Sequence, residues 1–413
     1  MNRERMTRAV LLIVLLVSLA HALVHVFELA LPSVEQDIAR EYEPGEVAAG
    51  KKLSGTMANL WRFPFGAGAL LAGWLVDRFG SRRMLAVYLL GCGAMCAAAA
   101  TVHNLNGLLA VMFTMGLFAS IYHPAGLALI SHEVEPEALP RALGLHGIFG
   151  SLGIGGAPFI AGGILMLSNP PQWRNVYWVL AVLGIALGMY FAIAAFRHAQ
   201  RAGLPSTSDT PSKDEHAQWA SFFTLTLFAV LMGFTYAGVL SFLPRYMEGV
   251  VDLPTDKASG VKNYLAGSVL LVGCFGQYLA GRFANRRWLE GQLLLITLGN
   301  IPGLLVMAFA DGYMRVAGAL VWSLIHFMHQ PIYNSLIAKY TPRARRSLCY
   351  GFSFAMGFGF GSFGAGFAGA STNNLFTFGS LTGVVIGASL FCILLWWWNR
   401  SQNVKSQISN LKQ

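Results

Sequence analysis

The sequence predicts an all-α integral membrane protein with twelve transmembrane helices in two pseudo-symmetric six-helix bundles. Hydrophobic residues make up 55% of the 413 positions and charged residues only 12%, whereas soluble domains carry about 25% charged residues. Apolar runs of about 20 residues, the length that crosses a ~30 Å hydrocarbon layer, recur along the whole chain. A polar segment separates these runs into two sets of six, and motifs of the first set recur in the second.

Each apolar run is interpreted as an α-helix, because a chain in lipid must satisfy its backbone hydrogen bonds within itself. A membrane β-barrel would instead show alternating segments of about ten residues. The first run contains Ala20-His21-Ala22, which resembles a signal-peptidase site, but it continues to Leu31 and so favours a retained span over a cleaved signal peptide. The predicted spans cover residues 8–32, 52–76, 84–102, 107–131, 142–167, 174–196, 219–243, 263–281, 290–309, 315–338, 349–370 and 378–398.

The polar segment 197–218 defines the domain organisation. It is rich in Ser, Thr and Pro and follows the sixth predicted span. We therefore predict an N-terminal six-helix bundle over 1–196, a cytoplasmic linker over 197–218 and a C-terminal six-helix bundle over 219–398. The remaining residues, 399–413, form a short polar cytoplasmic tail for which we expect disorder.

The basic residues predict the orientation in the membrane. Arginine clusters within 78–83, 282–287 and 343–346 all fall on one side of the predicted spans. The positive-inside rule assigns that side to the cytoplasm, together with both termini. The net charge of +10 is thus explained by topology in a bacterial-type inner membrane, and we expect no nucleic-acid partner.

Two motifs recur between the halves. The segment 78–83 (Arg-Phe-Gly-Ser-Arg-Arg) returns at 282–287 (Arg-Phe-Ala-Asn-Arg-Arg). His123-Pro124 in the fourth predicted span corresponds to Gln330-Pro331 in the tenth. Parallel six-helix repeats of this kind are an architecture of membrane transporters.

The loop between the second and third spans reads Gly-Trp-Leu-Val-Asp-Arg-Phe-Gly-Ser-Arg-Arg over residues 73–83. It resembles the signature loop of the major facilitator superfamily, G-x-x-x-D-R/K-x-G-x-R/K-R/K, at every defined position. The resemblance implies alternating access, with this loop closing the cytoplasmic side; the alternative is a basic loop that only sets topology. We expect Gly73 to permit close helix contact, Gly80 to form a tight turn and Asp77 to bond a neighbouring helix N-terminus. The predicted gating motif consists of Gly73, Asp77, Arg78, Gly80, Arg82 and Arg83.

The fifth predicted span is rich in glycine and resembles, with looser spacing, the G-P-x-x-G-G motif associated with antiporters of that superfamily. This resemblance favours export, although small residues at such intervals also serve close helix packing alone. The predicted helix-packing motif consists of Gly153, Gly156, Pro158, Gly162 and Gly163.

A finer resemblance lies in the first half. His21 followed eleven residues later by Pro32, and the segment 116–124 (Gly-Leu-Phe-Ala-Ser-Ile-Tyr-His-Pro), are similar to fosmidomycin-resistance-type exporters. That family tends to have an acidic residue where this chain has His25, and the carboxylate here is Glu28 instead.

An ionisable residue within a span costs free energy, so each one is a candidate functional residue. His21, His25 and Glu28 share one face of the first helix. We expect Glu28 and His25 to carry protons, His21 to relay them or contact substrate, and Arg62 to tune this cluster or hold an anion. We expect Arg62 and His21 to lie at nearly the same depth from the outer face of the membrane, and Glu28 to lie closer to that face. The alternative is that these residues form a polar patch that only packs the two helices together. The predicted coupling or substrate residues are His21, His25, Glu28, Arg62, His123, His326 and His329, with His146 as a further buried histidine.

The predicted function is proton-coupled export of a small organic molecule by a monomeric secondary transporter. The alternatives are an importer of an organic anion, coupled to protons or another ion, and a non-transporting membrane sensor. The sequence has no Walker motif, no C-x-x-C pair and no Cys/His cluster with zinc spacing along the chain. We therefore predict no enzyme activity, no cofactor and no metal site, and the expected partners are substrate, protons and the lipid bilayer.

Overall fold

The computed structural model describes residues 7–135, 138–168, 170–199, 217–252, 255–285, 287–342 and 345–411, which contain helices and no strands. Most of the predicted linker lies outside the described residues. The helices are α1 (Arg8–Tyr42), α2 (Val47–Ala67), α3 (Ala69–Phe79), α4 (Ser81–Thr101), α5 (Leu105–Ala119), α6 (Tyr122–Glu133), α7 (Leu139–Leu167), α8 (Trp173–Ala199), α9 (Trp219–Leu240), α10 (Leu243–Tyr246), α11 (Thr255–Phe283), α12 (Leu289–Phe309), α13 (Tyr313–Tyr340), α14 (Arg346–Phe354), α15 (Phe363–Ala370) and α16 (Asn374–Leu411).

These helices account for the twelve predicted spans. Within the described part of the chain, nine helices are long and apolar enough to cross a membrane, with α5 and α6 taken together as one. The second span is α2 and α3, which are separated at Gly68. The eleventh is α14 and α15, joined by a π-helical turn and a 3₁₀ turn over Ala355–Ser362. The tenth is α13, a continuous helix made less apolar by its histidines and other polar side chains.

The helix boundaries correct two expectations. α1 continues through Pro32 to Tyr42, and α2 begins at Val47 instead of residue 52. Membrane helices tolerate an internal proline, so Pro32 does not end the first span. α16 continues to Leu411, so the prediction of a disordered tail after residue 398 is wrong.

A helix break positions one candidate residue. Pro124 has no N–H group, so the hydrogen bond that would run back to the Ser120 carbonyl is absent. The fourth span accordingly divides into α5, which ends at Ala119, and α6, which begins at Tyr122. His123 therefore lies in the first turn of α6, near the middle of the span.

Close backbone contacts join the two halves. α7 of the first half packs along α11 of the second, and α2 packs on α15 and the π-helical turn. A Cβ atom on Gly66 would lie 2.1 Å from the backbone nitrogen of Gly359, so only glycine allows this approach. The interface between the halves is tight at this point.

The predicted helix-packing motif makes one close contact within the first half and one between the halves. A Cβ atom on Gly153 would lie 2.3 Å from the carbonyl oxygen of Ala22, and one on Gly162 would lie 2.9 Å from that of Gly260. A Cβ atom on Gly156 would meet nothing within 4 Å, so this position does not need glycine for close packing.

Candidate functional site

A buried charge cluster lies at the middle of the bundle. One oxygen of Glu28, Oε1, is 2.7 Å from Nη1 of Arg62, and the other, Oε2, accepts a hydrogen bond of 2.8 Å from Nδ1 of His25. Tyr236 of the second half donates its hydroxyl to Oε1 at 3.4 Å. Glu28 and Arg62 are each only 2% exposed. Buried charges are stable only with partners, and here each charge is the other's partner.

The lengths of α1 and α2 bring Glu28 and Arg62 together. Glu28 lies about as far from the end of α1 at Tyr42 as Arg62 lies from the start of α2 at Val47. The expectation that Arg62 would be level with His21 is therefore wrong. That expectation assumed that the first span ends at residue 32 and the second begins at residue 52. α1 instead ends at Tyr42 and α2 begins at Val47, so the two predicted boundaries shift by different amounts.

The guanidinium of Arg62 can still donate hydrogen bonds in this arrangement. Its guanidinium lies 5.3 Å from the ring centre of Tyr236, and it meets Glu28 as an ion pair. Neither Nη atom makes a hydrogen bond of good geometry to any described residue. A guanidinium can donate five hydrogen bonds, so Arg62 can bind an additional acceptor.

Beside this cluster lies a group of imidazoles from α1, α6 and α7. The ring of His21 stacks on that of His146 at 4.2 Å, and Nδ1 of His21 is 2.9 Å from the His146 carbonyl oxygen. The ring centre of His123 is 5.4 Å from that of His21 and 5.9 Å from that of His25. The structure thus brings together three predicted residues that are up to a hundred positions apart, and it adds His146 to them.

The second half contributes its own histidine pair. His326 lies with Nδ1 3.1 Å from Oδ1 of Asn300 and stacks on Trp322 at 4.6 Å. His329 bonds the backbone carbonyl of His326. These two histidines do not touch Glu28 or Arg62 through any described contact; Tyr236 lies between the two clusters, with its ring centre 6.0 Å from that of His326. Sequence reasoning missed Tyr236, because an aromatic residue in a span carries no charge signal.

The charge cluster and the histidines beside it lie beneath a closed side of the bundle. We call the side where α1 begins the terminus side, and the side where α1 ends the far side. On the far side, Glu35 of the first half forms a bidentate ion pair with Arg245 of the second, at 2.7 Å from Nε and 2.6 Å from Nη2. The hydroxyl of Ser54 donates to the same carboxylate at 2.6 Å.

Further polar contacts extend this far-side closure. Gln36 bonds both Glu248 and Lys262 of the second half. Lys51 donates to the carbonyl oxygen of Ser371 at 2.9 Å. Asn263 donates to the carbonyl oxygen of Ser33 at 3.0 Å. These residues lie outside the predicted spans or at their ends, so the search for charges within spans did not find them.

The predicted gating motif lies on the terminus side and is not engaged in this conformation. Asp77 is exposed and makes no hydrogen bond or ion pair with any described residue. A Cβ atom on Gly73 would meet nothing within 4 Å, so the expected close helix contact is absent. Gly80 has the expected turn conformation, with φ at 86°. Arg82 pairs with Glu133 at 2.6 Å within the first half; Arg286 and Arg343 of the repeated clusters lie outside the described residues.

Known proteins resemble this chain in sequence. The sequence profile of the Major Facilitator Superfamily matches residues 10–366. A probable L-galactonate transporter of Escherichia coli is 24% identical over 66% of this chain and 67% of its own length. A probable nitrate/nitrite antiporter of Thermus thermophilus is 27% identical over 57% of this chain and 54% of its own length. The chain thus spans between half and two thirds of these relatives.

Solved structures share the fold. A D-xylose–proton symporter superposes with a TM-score of 0.74 at 14% identity, over 92% of this chain and 96% of its own. An inward-facing bacterial homologue of the human lysosomal transporter Spinster superposes with a TM-score of 0.73 at 15% identity, over 95% and 98%. The relatives and neighbours are transporters, so the prediction of no enzyme activity is confirmed. The finer resemblance to fosmidomycin-resistance-type exporters stays a prediction. The predicted twelve-helix fold is confirmed, and the chain belongs to the major facilitator superfamily of multi-pass membrane transporters.

Proposed function

We propose that this protein is a proton-coupled exporter of a small organic molecule that works by alternating access. The observation that carries the proposal is the buried Glu28–Arg62–His25 cluster, which contacts the second half through Tyr236. A buried carboxylate at the middle of the membrane costs free energy, so its presence indicates a functional role. A site at the middle of the spans, between two repeats, is where such transporters bind substrate and coupling ion.

The proposed orientation has the terminus side in the cytoplasm of a bacterial inner membrane. The arginine clusters of that side support it through the positive-inside rule. The conformation described above, with the Glu35–Arg245 pair formed and Asp77 unpaired, then corresponds to closure toward the outside. In the opposite conformation, the far-side contacts separate and the Asp77 loop closes the cytoplasmic side.

In the proposed exporter, coupling follows because a proton and the substrate compete for the ionised carboxylate of Glu28. While Glu28 is ionised, its charge is balanced by Arg62 and by the hydrogen bond from His25. A proton bound by Glu28 removes the negative charge and leaves Arg62 without its partner. Arg62 then approaches the Tyr236 ring more closely, and a substrate group bound to the ionised carboxylate is released. Proton and substrate thus occupy the cluster in turn, as exchange requires. Each protonation state thus favours a different contact across the halves, which is what alternating access requires.

One observation favours a second candidate, an importer of an organic anion coupled to protons or another ion. Arg62 forms an ion pair with Glu28 at 2.7 Å, but neither of its Nη atoms makes a hydrogen bond of good geometry to a described residue. The relatives named for L-galactonate and nitrate/nitrite are named for anions. A carboxylate or sulfonate would complete the hydrogen bonds of such a guanidinium. In this mechanism the anion and a proton enter together, and Glu28 is protonated when Arg62 holds the anion.

The test is transport into liposomes that contain the purified protein and a pH-sensitive dye. A panel of cationic, neutral and anionic metabolites and drugs is added under an imposed pH gradient. An exporter that exchanges substrate for protons will accumulate its substrate in the compartment from which protons leave. Accumulation in the same direction as the protons would establish the importer instead. Substrate accumulation that does not respond to the pH gradient would contradict proton coupling in both forms.

A further inference from the structure

The imidazole rings of His21, His25 and His123 converge on one point beside the charge cluster. Their coordinating nitrogens all lie within 4.8 Å of one another. The ring centres are 5.1, 5.4 and 5.9 Å apart. Imidazoles bound tetrahedrally to one zinc ion at about 2.1 Å have ring centres roughly 5 Å apart. The ring centres are thus spaced nearly as those of three ligands of one ion would be.

The hydrogen bonds of His21 and His25 use Nδ1 of each ring and leave Nε2 available to bind a metal ion. Nδ1 of His25 bonds Oε2 of Glu28, and Nδ1 of His21 bonds the carbonyl oxygen of His146. An Nδ1–H that donates to a carboxylate or a carbonyl leaves Nε2 with its lone pair, and histidine ligands of metal ions have this arrangement. Both rings therefore hold the tautomer that a metal ion needs.

The third ring has an unused nitrogen. Nε2 of His123 is buried and has no hydrogen-bond partner among the described residues. A buried polar atom without a partner costs about 1–3 kcal/mol, so its retention calls for a ligand. We propose that His21, His25 and His123 form a binding site for a divalent transition-metal ion of the zinc type.

The chemistry of the site indicates the class of ion. Neutral imidazoles suit zinc, copper and nickel, whereas magnesium and calcium prefer oxygen ligands. Glu28 supplies the negative charge next to His25 and acts as the carboxylate that orients this ligand. Three protein ligands leave a fourth position open. The His123 ring lies 4.7 Å from that of Phe354 in the second half, so this part of the site borders the interface where substrate is proposed to bind.

Spacing along the chain does not indicate this site. His21 and His25 are one helical turn apart, but His123 lies about a hundred residues away on α6. Only the packing of α6 on α1 brings the third ligand to the pair. The ion would bind within the first half, and its binding does not require proton-coupled transport.

The test measures binding at equilibrium, without a membrane gradient. The full chain is purified in detergent with a tag that contains no histidine, titrated with Zn²⁺ by calorimetry, and followed with Co²⁺ by visible absorption. We expect one Zn²⁺ per chain and a tetrahedral Co²⁺ spectrum that Zn²⁺ abolishes. His123→Ala is expected to weaken binding at least about 100-fold, and Glu28→Gln about 10–100-fold, as loss of an orienting carboxylate does.

Matched controls use the exposed histidines His103 and His132. His103→Ala and His132→Ala should leave the affinity and the Co²⁺ spectrum unchanged. His21→Gln serves as a second ligand variant, and a cooperative thermal unfolding transition without metal shows that each variant is folded. Absence of binding in the parent, or parental affinity in folded His123→Ala and His21→Gln proteins, would overturn the proposal. Such a result would not affect proton-coupled transport, which the liposome experiment tests separately.

Discussion

Glu35 and Arg245 belong to opposite halves of the protein and form a bidentate ion pair on the far side, with Oε1 2.7 Å from Nε and Oε2 2.6 Å from Nη2. The Glu35 carboxylate is almost fully buried, so the pair is little screened by solvent. We expect Glu35→Gln to weaken far-side closure by about 1–3 kcal/mol, the usual loss for a charge-assisted hydrogen bond. Distances between spin labels at Glu46 and Thr372 would then shift toward a more open far side.

The matched control for this prediction is Asp311→Asn. Asp311 pairs with Arg315 at 3.0 Å on the far side, but both residues belong to the second half and Asp311 is exposed. Such surface pairs contribute little. An equal opening in both variants would contradict the role of Glu35 as a contact between the halves.

Glu28→Gln should abolish accumulation driven by a pH gradient and keep downhill exchange of substrate. Glutamine retains the size and the hydrogen-bonding oxygen of Glu28 but cannot take up a proton. The measurement is uphill transport and counterflow in the same liposomes. If Glu28→Gln transports uphill as well as the parent, the carboxylate is structural, and His326 and His329 become the next candidates for coupling.

The same substitution should also lower stability. Breaking a buried ion pair by removing one partner costs about 3–5 kcal/mol, because the other charge remains buried. Glu28→Gln leaves Arg62 in that position. Combining it with Arg62→Gln should therefore recover part of the loss, as measured by thermal unfolding. A double variant less stable than Glu28→Gln alone would show that Arg62 has another stabilising partner.

Tyr236→Phe tests the contact between the clusters of the two halves. The change removes the hydroxyl that lies 3.4 Å from Glu28 and keeps the ring beside Arg62. We expect a stability loss of only about 0.5–1.5 kcal/mol and a larger fall in uphill transport than in counterflow. Tyr88→Phe is the control, because its hydroxyl bonds the Ala20 carbonyl within the first half. A proportional fall in both transport modes would contradict a role in coupling.

Asp77→Asn should lower transport about tenfold or more and leave substrate affinity largely intact. Asp77 lies on the terminus side, away from the central clusters, and in the far-side-closed conformation it is exposed and pairs with no described residue. Its charge is therefore expected to act in the opposite conformation. Initial transport rates and equilibrium substrate binding separate the two effects. An unchanged rate would remove the Asp77 loop from the gating mechanism.

The orientation can be tested with an impermeant thiol reagent in intact cells. A cysteine at Glu46 in the far-side loop should react, whereas cysteines at Ser206 and Gln413 should be shielded. Four of the five native cysteines are buried and Cys274 is partly buried, so the parent protein is labelled alongside to give the background. Labelling of Ser206 from outside would reverse the proposed orientation.

The sequence by itself determined the fold class, the division into two halves and the face of α1 that carries His21, His25 and Glu28. These features depend on local pattern: apolar length sets a span, and helical periodicity places residues three or four apart on one face. The pattern also identified Arg62 as a buried residue that needs a partner and His123 as a candidate functional residue.

Only the tertiary structure decided which partners they have. The depth of Arg62 depends on where α1 ends and α2 begins, and the predicted first span ended at residue 32, whereas α1 continues to Tyr42. The contacts of Tyr236 with Glu28, of Arg245 with Glu35 and of His123 with His21 join residues that are about a hundred or more positions apart. Such contacts follow from the packing of whole helices, and no local pattern in a single sequence contains the angles and offsets at which helices pack.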